Sequence, residues 1–133
     1  MISKYWLDKA LDTILSSGEL YAGLSSTDAN ESGAGYTEPK GGNYSRVKIA
    51  GFTKAADGRA RNAYATTFPV STSDWFTEDN MVGYWLLFDG NEQDSNLLAC
   101  GSLDTQKEIP SGVATTIPVG AIEVTLADIG SGV

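Results

Sequence analysis

The groups in this sequence with the chemistry to act as nucleophile, acid or ligand are one cysteine, Cys100, and seventeen carboxylates. There is no histidine. That absence removes the Ser-His-Asp triad, the Cys-His pair, the usual zinc sets and the commonest general base. Cys100 has no imidazole to activate it and sits between Ala99 and Gly101 in a segment that reads as a strand, so it is expected to be a structural thiol. Asp74, Glu78 and Asp79 crowd around Trp75 and Phe76, and glycosidases do pair carboxylates near aromatic rings. Adjacency in sequence does not set the separation across a sugar, and acids in a loop are ordinarily solvated. Asp89, Asn91 and Asp94 have the look of a calcium loop. However, Asp94 occupies the position where an EF-hand needs glycine, and Cys100 the position where it needs the closing glutamate. A hairpin loop is the better reading. Gly33, Gly35, Gly41 and Gly42 match a phosphate cradle only in composition, because no Gly-Lys-Ser/Thr follows. Asn43-Tyr44-Ser45 is a glycosylation sequon that an unexported protein never presents. No catalytic, cofactor-binding or metal-binding residue is expected.

What remains is aromatic. Three Trp, six Tyr and four Phe suit a core, an interface anchor or a sugar platform. Trp85 and Phe88 read as core. Trp6 near the chain start, Trp75 in a loop, and Tyr36 and Tyr44 around a long polar loop are the candidate interface residues.

These side chains must be positioned by a helix and a series of short strands. Ser3 can cap a helix in which Trp6, Leu7, Ala10, Leu11, Ile14 and Leu15 recur at helical spacing, and Gly18 stops it. The helix either packs over its own domain or projects onto a neighbour; the sequence leaves both open. Residues 19–25 alternate as a strand, with Leu20, Ala22 and Leu24 on one side and Tyr21 on the other. Residues 26–43 form a long loop, a kind that is usually functional or mobile. Residues 46–50 place Val47 and Ile49 inward, Arg46 and Lys48 outward. Asp57-Gly58 is a turn, and residues 65–70 look like a strand near an edge because of Pro69. Residues 81–88 are apolar throughout, as in a central strand covered on both faces. Residues 97–103 return from a polar hairpin loop. Residues 107–109 and 113–117 flank Pro110-Ser111-Gly112 as a hairpin-like pair. Residues 121–126 alternate, with Ile122, Val124 and Leu126 inward. Six to eight short strands at this turn spacing predict an all-β fold: an antiparallel, jelly-roll-like β-sandwich with one N-terminal α-helix. The expected organisation is a helix over 1–18, a sandwich over 19–127 and a flexible tail over 128–133.

At 133 residues the chain suits one domain with a single core. A net charge of −8 argues against a nucleic-acid grip, and the sequence reads as a soluble product with neither a signal peptide nor a membrane span. The charges are segregated. Residues 40–61 hold six of the nine cations and one acid; residues 74–108 hold eight acids and one cation. These segments either pair as neighbouring strands within a protomer or form a basic face that meets an acidic face on the next copy. Solvated charges in one protomer are the simpler account.

The order of motifs resembles a family of small phage virion proteins of tail-fibre-like or minor structural type. The matching residues are Leu20, Tyr21, Gly23, Leu24 and Ser25; Glu38-Pro39; and Tyr44, Arg46 and Val47. They continue with Phe68-Pro69, Trp75, Phe88-Asp89, Leu97-Leu98, Gly101, Leu103, Lys107, Gly112, and 120–126. The match runs in order from residue 20 nearly to the end. It departs in lacking a proline after Ser25 and in carrying Thr77-Glu78-Asp79-Asn80 where Gly- and Thr-rich residues are usual, and both departures lie in loops. The resemblance implies a non-enzymatic structural component of a virion, made in the bacterial host cytoplasm, with no cofactor. It would associate with other virion proteins and with copies of itself, and would bind neither nucleic acid nor membrane. The alternatives are a capsid decoration protein, or a carbohydrate-binding module that recognises host glycans through Trp75, Tyr36 and Tyr44.

Overall fold

The computed structural model describes residues 1–30 and 32–126; the expected tail over 128–133 lies outside the described residues. The chain folds as one N-terminal helix and several antiparallel sheets. Helix α1 spans Lys4–Ser16, and the Ser3 hydroxyl accepts the Trp6 amide at its start. Two of its carboxylates fasten it to the rest of the chain. Asp8 Oδ1 accepts the Gly58 amide at 2.6 Å, and Asp12 Oδ1 accepts the Ala55 amide at 2.7 Å. Leu11 is buried in a small cluster with Ala55 and Ala60, flanked by Leu15, Phe52, Val124 and Leu126. The expected apolar stripe therefore divides. Leu7, Leu11 and Leu15 turn inward, while Trp6, Ala10 and Ile14 face solvent. At about 100° per residue the six positions sweep roughly half the helix circumference, which is wider than the narrow ledge of residues 52–60 can cover.

The main sheet has four antiparallel strands in the order β2-β1-β5-β6: Val47–Lys48, Tyr21–Ser25, Val82–Phe88 and Leu97–Lys107. Strand β5 lies between β1 and β6, with Leu24 opposite Trp85 and Trp85 opposite Gly101. Its near-continuous burial explains why its sequence lacks alternation. On β6 the register slips between the Tyr84–Ser102 and Val82–Lys107 pairs, so residues 103–106 bulge opposite Gly83. A bulge bends an edge strand away from regular pairing and guards it against edge-to-edge growth.

Two small sheets complete the fold: β3 (Arg59–Arg61) with β8 (Glu123–Thr125), and β4 (Thr66–Thr67) with β7 (Thr116–Ile117). One core joins all three, with Leu24, Trp85 and Leu87 from the main sheet meeting Phe68, Trp75, Phe76, Ile109, Ile117 and Ile122. Among the described residues none of the sheets closes into a jelly-roll barrel. Three local expectations also change. The segments flanking Pro110-Ser111-Gly112 do not pair with each other: Ile109 bridges Phe76, and Thr116–Ile117 joins β4. Strand β3, which follows the Asp57-Gly58 turn, was hidden by its Arg-Ala-Arg composition. The loop after Ser25 is tied to itself, with Ser25 Oγ accepting the Thr37 amide and Asn30 Oδ1 accepting Ser32 and Ala34 amides.

Asn62 holds the two-stranded region together. It is fully buried; its Oδ1 accepts the Ile122 amide at 2.9 Å, and its Nδ2 donates to the carbonyls of Tyr64 and Pro118. Replacing Asn62 with alanine leaves the buried Ile122 amide without a partner and removes two part-buried hydrogen bonds, and is expected to cost about 2–3 kcal/mol. The urea midpoint should fall with the m-value unchanged.

Candidate assembly surface

The four aromatic residues singled out by sequence separate into two places. Tyr36, Tyr44 and Trp75 lie together beneath the long loop, whereas Trp6 stands apart on α1. Trp75 is only 6% exposed and donates its indole N–H to the Gly42 carbonyl at 2.7 Å. Tyr44 packs edge-on to Trp75, with ring centroids 5.2 Å apart, and parallel to Phe68 at 6.2 Å. Tyr36 meets Phe88 edge-on at 5.5 Å. These three rings brace the loop against the sheet, leaving Tyr36 half-buried at the margin of a cleft that also touches Lys40, Asn91 and Gln93.

At the centre of that bracing is an ion pair that the residue pattern did not predict. Arg46, expected to point outward from its strand, turns inward. Its Nη2 lies 2.7 Å from Glu38 Oε1 and its Nε 3.0 Å from Glu38 Oε2, with side chains only 7% and 14% exposed. The guanidinium sits 3.4 Å over the Phe88 ring, and its Nη1 donates to the Glu92 carbonyl at 2.7 Å. The Tyr44 hydroxyl donates to Glu38 Oε2 at 2.5 Å and accepts the Leu24 amide at 3.0 Å. Burial, then the charge of Glu38 and its hydrogen bond, push the Tyr44 phenol above its ordinary pKa. Burial opposes the Arg46 charge, yet the hydrogen bonds and charge of Glu38 outweigh it and raise the guanidinium pKa. A Cβ on Gly23 would lie 2.9 Å from Glu38 Oε2 and 3.1 Å from the Phe88 ring, so only glycine lets these groups close over β1. The polar groups here are spent on one another; they form a brace and offer no reactive centre.

An apolar surface is left uncovered on the outer face of α1. Trp6 is 71% exposed, beside exposed Tyr5, Ala10 and Ile14. Trp6, Lys9, Ala10, Thr13 and Ile14 line an apolar hollow of about 490 Å³. The capping serine and the run of apolar residues predicted the helix. Only the inward turn of Asp8 and Asp12 reveals which side remains bare.

The charge segregation resolves differently from the strand-pairing expectation. Arg46, Lys48, Arg59 and Arg61 of the basic segment pair with Glu38, Glu19 and Glu123, the segment's own Asp57 pairs with Lys4, and no ion pair among the described residues reaches the acids of 74–108. Asp89 instead caps its own hairpin, accepting the Asn96 amide at 2.7 Å, and those Asn96 hydrogen bonds lower its pKa. Asp74 accepts the Ser111 amide. Cys100 lies beside Asp28, and burial raises its thiol pKa. Among the described residues no three His, Cys, Asp or Glu side chains gather to hold a metal.

The model for the family described as Podophage GP4 fiber I protein gp80 matches residues 2–125. No curated protein matches the chain.

Arg46→Met leaves the Glu38 carboxylate buried without a counter-charge, with the Tyr44 hydroxyl as its remaining partner, and should lower stability by about 3–5 kcal/mol. Adding Glu38→Leu should recover most of that loss, as a double-mutant cycle in urea would measure. Because the folded state holds the Tyr44 proton more tightly, the stabilisation is complete below about pH 10 and is lost as pH rises beyond it. Tyr44→Phe should therefore be less stable than wild type at neutral pH and show a shallower alkaline loss, measured as unfolding midpoints on either side of pH ~10.

Proposed function

The chain belongs to the podophage GP4 fiber I protein gp80 family, and on that premise we propose that it joins the particle through the outer face of α1. It is a non-enzymatic structural protein of the phage virion, of tail-fibre type, that acts by assembling with other virion components. The observation that carries the docking proposal is the exposure of Trp6 on a helix whose opposite side is already fastened to its own domain. Large aromatic residues anchor interfaces because they bury much area at little entropic cost. A tryptophan left bare over a small-residue hollow is unneeded for the fold. Tyr36 is a secondary candidate at the rim of the loop region. Tyr44 and Trp75 serve assembly indirectly, by holding that region rigid.

The same reading takes residues 1–18 as an arm docked in cis on the domain of residues 19–127. Within that domain, the two small sheets lie across a shared core from the main sheet, in the manner of a sandwich. The single core filled from all three sheets supports this organisation.

Trp6→Ala tests the proposal. The residue is exposed, so the unfolding midpoint should move by no more than about 0.5 kcal/mol equivalent. Incorporation into particles, read by quantitative mass spectrometry of purified virions from a complemented phage, should fall severalfold. Wild-type incorporation of the variant would remove α1 from the assembly contact.

A further inference from the structure

We propose that the cleft between the free edge of β6 and the segment leading into β8 binds a neutral sugar, anchored by the indole N–H of Trp85. Arg61, Trp85, Gly101, Asp104, Gly120 and Glu123 stand around a space of about 370 Å³. That volume lies near the lower end of small-molecule sites, which run from about 300 to 1,000 Å³. The site is separate from α1 and stands without the docking proposal.

The anchor is an unpaired donor. Trp85 is 4% exposed, yet no group among the described residues accepts its Nε1–H. A tryptophan this deep ordinarily finds an acceptor, as Trp75 does at the Gly42 carbonyl. The nitrogen is not sealed in the core as Thr115 Oγ1 is, because the ring reaches the cleft. Gly101, directly opposite Trp85 on β6, keeps that ring edge clear. A side-chain carbon on Gly101 would lie 2.6 Å from Nε1. The N–H therefore needs an acceptor from outside the chain.

The walls decide the class of ligand. Asp104 is exposed and has no ion-pair partner among the described residues. Across from it, Arg61 holds Glu123 through Nε and Nη2, both at 2.7 Å. Two carboxylates against one guanidinium disfavour an anion. A cation would meet the guanidinium and the positive edge of the indole. An apolar ligand would strand the charges. An added peptide strand is obstructed by the bulge over 103–106 and by the charged side chains along this edge. What fits is a neutral ligand whose closely spaced groups each donate and accept. Adjacent hydroxyls of a sugar do so, donating to Asp104 and Glu123 while accepting from Trp85 and Arg61. Gly101, Gly120 and Ala121 let the sugar ring approach closely.

NMR of the full chain tests this, because its three tryptophans give three indole N–H signals. The probes are D-glucose, D-galactose, D-mannose, L-rhamnose and N-acetyl-D-glucosamine, each up to about 100 mM, enough to saturate a millimolar site. D-Glucuronate and a capped, uncharged pentapeptide of threonine and valine are the controls. The Trp85 signal, identified by its loss in Trp85→Phe or by sequential assignment, should shift saturably with at least one neutral sugar. The Trp6 and Trp75 signals should stay in place. Glucuronate should bind about fivefold or more weakly than the best neutral sugar. Asp104→Ala and Arg61→Gln, both at exposed positions, should each weaken binding about fivefold or more while the spectrum stays folded. Trp6→Ala should bind as wild type, so this result and the docking result are read separately. Four outcomes would each overturn the inference. The Trp85 signal stays still with every neutral sugar, so that water alone satisfies the N–H. Glucuronate binds as tightly. Only the peptide moves the signal. Or Asp104→Ala and Arg61→Gln both bind as wild type does.

Discussion

The buried contact between Arg46 and Glu38 is the constraint on which the loop side of the molecule depends. Among the described residues of 26–43 there is no helix or strand, and a segment of that length has no regular ladder to hold it. Its attachment is made by charge and aromatic contact instead. Glu38 comes from the loop, Arg46 from the edge of β2, Tyr44 from between them, and Phe88 from the end of the central strand. Because two charges are taken out of water, their attraction is offset by desolvation, and the pair adds less stability than its geometry suggests. What it does contribute is selectivity for one arrangement. Other placements of the loop strand a charge in the interior.

That brace also decides what the aromatics can do. Tyr44 and Trp75 become structural because the loop closes over them, with the Trp75 indole tied to Gly42 and the Tyr44 hydroxyl tied to Glu38. Trp6 is left outside because α1 is fastened by its opposite side. The same two carboxylates that anchor the helix clear its outer face of negative charge. In a chain of this acidity, the arrangement leaves an exposed apolar patch without neighbouring carboxylates, the patch that the proposed docking would use. The bulge on β6 makes the corresponding subtraction elsewhere, by bending an edge that would otherwise invite pairing.

For a fibre-type virion protein these features form a consistent whole. A rigid body suits that role, and among the described residues Thr115 Oγ1 is the one buried side-chain oxygen or nitrogen without a hydrogen-bond partner. Asn62 and Ser71 show such pairing away from the loop: both are buried, and both tie neighbouring backbone segments across short strands that share few ladder bonds.

The sequence alone determined the helix and its cap, the central strand 82–88, the inward set Ile122 and Val124, and the absence of imidazole chemistry. It also carried the ordered motifs of the family. Each is a local property, since capping, periodicity and composition are written in consecutive residues. Tertiary structure decided the rest. Arg46 was assigned outward by alternation, but a carboxylate eight positions earlier drew it in. Six apolar helix positions formed a single stripe on paper, and the width of the ledge beneath split them. Strand β3 has no apolar pattern and exists because β8, more than sixty residues later, pairs with it. Which face of the molecule remains bare depends on what packs against the other faces, and that is settled by contacts between residues far apart in the chain.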